Sequence, residues 1–88
     1  MLQKTINVLV VDDSSLFRKL IIAYLSSCPD INVVGSAINA YDARRKIPLL
    51  KPDVMTLDVE MPGLNGIEFL KELLPVHPIP VLLVSSLN

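Results

Sequence analysis

The sequence predicts an α/β fold in which a parallel sheet carries helices on both faces. Four short aliphatic segments rich in β-branched residues alternate with three segments whose apolar residues recur at helical spacing. The chain has 88 residues, of which 51% are hydrophobic and 19% charged, a composition typical of strands buried on both sides. Regular alternation of strand and helix implies right-handed crossovers and parallel strands. The length corresponds to one compact unit at most.

The first strand and helix are predicted from a change in the spacing of apolar residues along the sequence. Residues 7–11 form an unbroken aliphatic run that stops at two aspartates, which predicts a buried strand. A helix is predicted at about 15–27, with Ser14 or Asp13 as its N-cap. Its apolar residues fall at the spacing of a single helix face. They are Leu16, Phe17, Leu20, Ile21, Tyr24 and Leu25.

The second strand and helix follow the same pattern. Residues 31–37 are again apolar and β-branched and predict a strand. Asn39 is a candidate N-cap for a helix at about 40–50, which Pro48 is expected to kink or shorten. The basic cluster at 44–46 is interpreted as a solvated helix face, because the net charge of the chain is only -1.

The second half of the chain repeats the alternation. Residues 54–58 predict a third strand, which ends in an aspartate like the first. Asn65 and Glu68 have the spacing of a capping box and open a helix at about 66–75. Prolines then separate this helix from a fourth strand at about 81–85. The helix residues expected to face inward are Ile67, Leu70, Leu73 and Leu74.

Charge, cysteine content and hydropathy exclude several classes of protein. A net charge of -1 provides no cationic field for nucleic acid or an anionic membrane. Cys28 is the single cysteine, so neither an intrachain disulfide nor a cysteine metal cage is possible, and we expect it to be a small buried residue. The longest uncharged run, 73–88, contains three prolines and is shorter than the roughly 20 residues of a membrane span. We expect a cytoplasmic protein.

Three aspartates and a serine follow the predicted strand ends. In a parallel sheet these ends meet at one rim, which receives Asp12, Asp13, Asp58 and Ser85. If the first and third strands are neighbours, the carboxylates converge, and either a carboxyl retains a proton at a raised pKa or a cation neutralises the cluster. Hard oxygen ligands favour Mg²⁺ or Mn²⁺.

A carboxylate beside a hydrated divalent ion is suited to accept a phosphoryl group. Asp58 stands alone at a strand end and is the better-placed nucleophile, whereas Asp12 and Asp13 are adjacent and suited to metal ligation. The Ser85 hydroxyl is placed to donate to phosphoryl oxygens. Each residue also has a simpler structural interpretation: Asp13 as a helix cap, Asp58 as a strand end, and Ser85 as a loop hydrogen-bonding group.

Three motifs carry a resemblance to the receiver domain of bacterial two-component response regulators. They are residues 10–14 (VVDDS), 57–66 (LDVEMPGLNG) and 84–86 (VSS). The resemblance implies that Asp58 is the phosphoacceptor and that Asp13 and Asp58 ligate Mg²⁺ together with the backbone carbonyl of Glu60. It further implies that Asp12 acts through water and that Ser85 is the switch hydroxyl. A sensor histidine kinase is the implied phosphodonor.

Segments 56–62 (TLDVEMP) and 84–87 (VSSL) look most like the regulatory domain of the chemotaxis protein-glutamate methylesterase. The resemblance therefore implies a chemotaxis kinase as partner and an esterase effector beyond residue 88. The 88 residues contain no Gly-x-Ser-x-Gly motif. The implied fold is a flavodoxin-like (CheY-like) doubly wound sheet of strand order 2-1-3-4, with the fifth βα unit and its lysine missing. Without that unit the open edge at 81–84 favours a dimer or oligomer.

Three other functions remain as alternatives. A receiver-like interaction module that is not phosphorylated is consistent with the missing lysine. A haloacid-dehalogenase-like phosphatase also uses a strand-end aspartate, but it needs Asp-x-Asp where this chain has Asp58, Val59 and Glu60. A flavodoxin-like nucleotide binder is disfavoured, because Asp12 and Asp13 would repel a phosphate at a loop without a glycine-rich backbone cradle.

Overall fold

The computed structural model describes residues 4–59 and 66–84. Within them, four strands and three helices alternate along the chain. They differ from the sequence-based bounds by at most two residues at any end, apart from Ser85, which lies outside the described residues. The elements are β1 (Ile6–Val11), α1 (Ser15–Ser26), β2 (Ile31–Ala37), α2 (Ala40–Leu50), β3 (Val54–Asp58), α3 (Gly66–Leu73) and β4 (Val81–Val84).

The strands form a single parallel sheet in the order β2-β1-β3-β4. β1 and β3 are neighbours at its centre, with Val11 opposite Leu57. Because every crossover joins parallel strands, all strand ends that carry acidic residues open at one rim. The structure confirms the predicted doubly wound sheet and its strand order.

The hydrophobic core lies between one face of the sheet and helices α2 and α3. Inward side chains of β1 and β3 pack there against the buried stripe of α2, which follows helical periodicity. The fully enclosed members of the core include Leu9, Val11, Ala43, Ile47, Met55, Leu57, Phe69 and Leu73.

Helix α1 lies on the opposite face of the sheet. None of the residues of α1 is fully buried. Leu16, Leu20 and Tyr24 expose 68%, 58% and 74% of their surface, and Leu82 of β4 exposes 60%. α1 therefore shields part of this face and leaves apolar side chains in contact with solvent.

Two predictions about α3 were wrong. Ile67 and Leu74, expected to face inward, are 46% and 38% exposed, whereas Phe69 is fully buried. Phe69 and Leu73 are four residues apart and share one face of the helix, which directs both toward the sheet. Ile67 is two residues from Phe69, about 200° around the helix, and so points away. Leu74 comes after the last helical residue.

Of the two effects expected of Pro48, a kink or a shortened helix, the shortening was wrong, since α2 continues through Pro48 to Leu50 and so has the predicted bounds. A proline in the last turn removes one intrahelical hydrogen bond, a loss confined to the helix end. Ile47 is buried and Leu50 packs against the core, so tertiary contacts hold this turn. Lys51 caps the end of the helix: it has φ 49°, and its N–H donates to the Ile47 carbonyl at 2.8 Å.

The basic cluster of α2 is paired with acidic side chains on the helix surface. Arg45 and Lys46 contact Asp42 at 2.6 and 3.1 Å, and Arg44 contacts Glu72 of α3 at 2.6 Å. These ion pairs agree with the interpretation of the basic cluster as a solvated helix face.

Cys28 is only half-buried, whereas the sequence-based expectation was a buried residue. Among the described residues, no helix is both long and apolar enough to cross a membrane.

Candidate functional site

Three carboxylates converge at the rim where β1 and β3 end. Asp12 directly follows β1, and Asp58 is the last residue of β3. Since Val11 is opposite Leu57, the next residue of each strand lies at the same level of the sheet. Asp13 joins them from the β1–α1 connection, and one carboxylate oxygen of each residue lies within 4.8 Å of the others. The structure thus brings together the three aspartates predicted from the sequence.

Asp12 is fully buried and held by its backbone neighbours. Its Oδ1 accepts from the Ser14 N–H at 2.9 Å, and its own N–H donates to the Ala37 carbonyl at 3.0 Å. Its Oδ2 has no hydrogen-bond partner among the described groups. A buried acceptor without a partner is costly in a folded protein, and a bound cation or an ordered water would relieve that cost.

The start of α1 distinguishes between the two candidate caps. The Ser14 hydroxyl accepts from the Phe17 N–H at 3.2 Å, so Ser14 is the N-cap. Asp13, exposed at the rim, is therefore not used as the cap. Its carboxylate belongs to the acidic cluster instead.

Electrostatics at this rim oppose ionisation of Asp12. Burial, together with the negative charges of Asp58 and Asp13, raises the pKa of Asp12, against the lowering effect of the Ser14 N–H. A divalent cation would reverse this balance. The donor set consists of hard carboxylate oxygens, which suits Mg²⁺ or Mn²⁺ rather than a softer metal.

Arg18 is a residue of this region that sequence reasoning missed. Its Nη1 donates to the backbone carbonyl of Asp12 at 2.8 Å, and this hydrogen bond joins α1 to the β1–α1 connection. Arg18 lies four residues after Ser14, and its own N–H donates to the Ser14 carbonyl at 2.9 Å. That spacing places Arg18 on the side of the helix that faces the loop. The four-residue spacing from Ser14 is the feature of the sequence that could have identified Arg18.

Two predicted site residues, Glu60 and Ser85, lie outside the described residues. The strand that leads to Ser85 is described up to Val84. Val84 is the register partner of Asp58, and its carbonyl accepts from the Val59 N–H at 3.1 Å. β4 therefore ends next to the strand end that carries Asp58.

The model of the response regulator receiver domain matches residues 8–88. The chain belongs to this family. The match covers almost the whole sequence, including both strand ends that supply the carboxylates. The four-stranded sheet with its rim of aspartates is therefore a receiver sheet.

The receiver domain has curated relatives and solved structures of similar sequence. A protein-glutamate methylesterase/protein-glutamine glutaminase 2 of Vibrio vulnificus is 51% identical over 88 residues, which are 100% of this chain and 26% of that protein. The response regulator domain of Thermotoga maritima CheB is 49% identical, with a TM-score of 0.88 over 96% of this chain and 63% of that one. This receiver domain thus spans about a quarter of the length of the methylesterases it matches.

A further solved structure contains the P1 domain of CheA3 in complex with CheY6 from R. sphaeroides. The matched chain is 32% identical to this receiver domain, with a TM-score of 0.82. The match covers 96% of this chain and 66% of the other. Proteins with Che names therefore recur among the solved structures that this chain resembles.

Proposed function

We propose that Asp58 is the phosphoacceptor of this receiver domain. The observation that carries the proposal is the position of Asp58 at the end of a central strand, with two further carboxylates within 4.8 Å. A carboxylate oxygen of Asp58 attacks the phosphorus of a phosphohistidine. The P–N bond breaks, the imidazole leaves with the electron pair, and an acyl phosphate forms on Asp58.

Asp12, Asp13 and Asp58, with the backbone carbonyl of Glu60, are the proposed ligands of Mg²⁺, and Mn²⁺ suits the same donors. The ion would supply positive charge against the phosphoryl oxygens. Asp12, which the sequence resemblance assigns to contact through water, has a buried Oδ2 without a hydrogen-bond partner among the described groups. That unsatisfied oxygen supports its place in the ligand set.

Three residues next to the acidic cluster have proposed supporting roles: Ser14, Arg18 and Ser85. Ser14 and Arg18 fix the β1–α1 connection through hydrogen bonds to Asp12, so they orient its carboxylate without touching the phosphoryl group. Ser85 is proposed as the switch hydroxyl that donates to the phosphoryl oxygens. Support for this comes from Val84, its neighbour in sequence, which is in register with Asp58.

The proposed phosphodonor is a chemotaxis sensor histidine kinase in the cytoplasm. The proposed output is control of a protein-glutamate methylesterase effector. The methylesterase relatives support the proposed effector, because the matched segment is about a quarter of the length of each of them. The complex of CheY6 with the P1 domain of CheA3 supports the proposed phosphodonor. The esterase activity is assigned to the whole protein and not to these 88 residues, which hold no Gly-x-Ser-x-Gly motif.

Labelling with a small phosphodonor tests the role of Asp58. We expect intact-mass spectrometry to show one added phosphoryl group in the presence of Mg²⁺ and none in EDTA. Asp58→Asn should abolish the addition. Asp53→Asn is the matched control, because Asp53 directly precedes β3 and its carboxylate accepts from the Asn7 N–H at the opposite rim. Undiminished labelling of Asp58→Asn would reassign the nucleophile, and no labelling of the wild type would favour a non-phosphorylated interaction module.

A further inference from the structure

The peptide group between Ala37 and Ile38 is one hydrogen bond away from the acidic cluster. Its carbonyl, at the end of β2, accepts from the Asp12 N–H at 3.0 Å. Its N–H donates to Oδ2 of Asp42 at 3.1 Å. Asp42 lies in the first turn of α2, so this single peptide joins α2 to the strand end that carries Asp12.

The geometry of the peptide couples these two hydrogen bonds. A trans peptide is planar and directs its C=O and N–H to opposite sides, and the described residues contain no cis peptide bond. A rotation that releases the N–H from Asp42 therefore also turns the carbonyl away from Asp12. In addition, a carboxylate that accepts from the N–H polarises the peptide and makes its carbonyl a better acceptor. The hydrogen bond to Asp12 thus depends on Asp42.

The Asp42 carboxylate is held in place by its neighbours on α2. Its side chain is 13% exposed and contacts Arg45 at 2.6 Å and Lys46 at 3.1 Å. Lys46 Nζ also donates to the Ser36 carbonyl at 2.6 Å, so side chains of α2 hold the backbone on both sides of Ala37. Burial alone would raise the pKa of Asp42, but a backbone N–H and the two cations hold it below its ordinary value. The acceptor is therefore ionised near neutral pH.

We propose that Asp42 is a positioning residue for the acidic cluster: through the Ala37–Ile38 peptide it fixes the backbone of Asp12 and thereby the direction of the Asp12 carboxylate. Asp12 is fully buried, and its Oδ2 has no hydrogen-bond partner among the described groups. A displaced backbone at Asp12 would move these oxygens away from a bound cation. The inference rests on the proposed function, because it takes Asp12 as part of the Mg²⁺ site.

Asp42 also has a simpler structural role at the start of α2. Its N–H donates to the side chain of Asn39 at 2.8 Å, and Asn39 is the N-cap of the helix. If capping were the whole role of Asp42, loss of its carboxylate would lower stability and leave Asp12 unchanged. The two interpretations therefore differ in what they predict at Asp12, which lies outside α2 and follows β1.

The amide proton of Asp12 reports its hydrogen bond to Ala37 without any metal. In EDTA, we expect ¹H–¹⁵N spectra of Asp42→Ala to show an upfield shift of this proton, because a longer hydrogen bond deshields it less. Asp42→Asn keeps an acceptor for the Ile38 N–H, so its Asp12 resonance should stay closer to that of the wild type. Circular dichroism checks folding. Asp42→Leu, which is similar in size and has no acceptor, replaces Asp42→Ala if that variant is unfolded.

Titration with MgCl₂, followed through the amide resonances of Asp13 and Asp58, measures the effect on cation binding. Asp42→Ala should weaken Mg²⁺ binding by about 10-fold, the lower end of the loss typical when a partner of a metal ligand is removed. Asp42→Asn should weaken it by less than about 3-fold, because it keeps the acceptor oxygen. Glu72→Gln removes the same charge from the exposed pair with Arg44 and is the matched control, which should bind Mg²⁺ as the wild type does.

The outcomes separate this inference from the proposed function. An unshifted Asp12 amide in Asp42→Ala would overturn the positioning role, whatever the metal does. So would wild-type Mg²⁺ affinity in Asp42→Ala, or an equal loss in Glu72→Gln, which would show that charge alone is responsible. A wild type that binds no Mg²⁺ at millimolar concentration would overturn the proposed metal site. In that case a shifted Asp12 amide would still support the hold of Asp42 on Asp12, and an unshifted one would refute it.

Discussion

Replacing Asp12 with asparagine is expected to stabilise the metal-free receiver domain, although it removes a proposed metal ligand. The carboxylate oxygens of Asp12, Asp13 and Asp58 lie within 4.8 Å of one another. Two unit charges at this separation repel by about 3.5 kcal/mol at an effective dielectric constant of 20 and by about 1 kcal/mol in bulk water. Since Asp12 is fully buried but lies at the rim, we expect the free energy of unfolding to rise by about 1–3 kcal/mol.

The substitution keeps the local geometry and changes the charge. Asparagine retains an Oδ1 that accepts from the Ser14 N–H, and its amide provides donors where the carboxylate has none. Burial and the neighbouring charges raise the pKa of Asp12 in the folded state. Its ionised form is therefore destabilising above the unfolded pKa, and the penalty is relieved as pH falls through the raised folded pKa. The advantage of Asp12→Asn should be largest near pH 7 and vanish in acid.

Urea unfolding in EDTA and in MgCl₂, at constant ionic strength, measures this effect. At ten times its dissociation constant, Mg²⁺ should stabilise the wild type by about 1.4 kcal/mol and the variant by less. Glu72→Gln removes one charge from the exposed pair with Arg44 and serves as the control. The reasoning fails if Asp12→Asn is no more stable than the wild type in EDTA at pH 7. It also fails if Mg²⁺ stabilises both equally.

Two further predictions concern packing and charge away from the rim, and both are read from urea unfolding. Phe69→Ala should lower the free energy of unfolding by about 3–5 kcal/mol, since the ring is fully buried. Ile67→Ala should lower it by less than about 1 kcal/mol. Equal losses would contradict the assigned orientation of α3. Burial alone would raise the pKa of Asp42, but a backbone N–H together with Lys46 and Arg45 holds it below its ordinary value. Asp42→Asn should therefore be less stable than the wild type at pH 7, and the difference should disappear as pH falls through the folded pKa; a difference that persists in acid would show that the ion pairs are not its source.

The acidic cluster was predictable because it depends on strand ends. Once residues 7–11 and 54–58 are parallel neighbours, Asp12 and Asp58 must lie at one rim, whatever the helices do. The local choice between Ser14 and Asp13 as N-cap was not predictable, because both types cap helices well. Only the structure shows that the serine hydroxyl takes the Phe17 N–H and leaves Asp13 at the rim.

Helix orientation was predicted less well for a related reason. α3 has eight residues, and its apolar positions are compatible with more than one buried stripe. Which stripe is buried depends on the shape of the sheet beneath it, where Phe69 fits and Ile67 does not. The same limit applies to α1, whose apolar residues outnumber the positions that the sheet can cover, so that Leu16, Leu20 and Tyr24 stay exposed.

The backbone of the acidic rim is fixed by strand hydrogen bonds on three sides. The Asp12 N–H bonds to Ala37 at the end of β2, Val11 is in register with Leu57, and the Val59 N–H bonds to Val84 at the end of β4. Because both flanking strands are tied to the central pair, carboxylate repulsion cannot be relieved by separating β1 from β3 without breaking the sheet. The repulsion is instead retained in the folded state, and it is available to drive the binding of a cation.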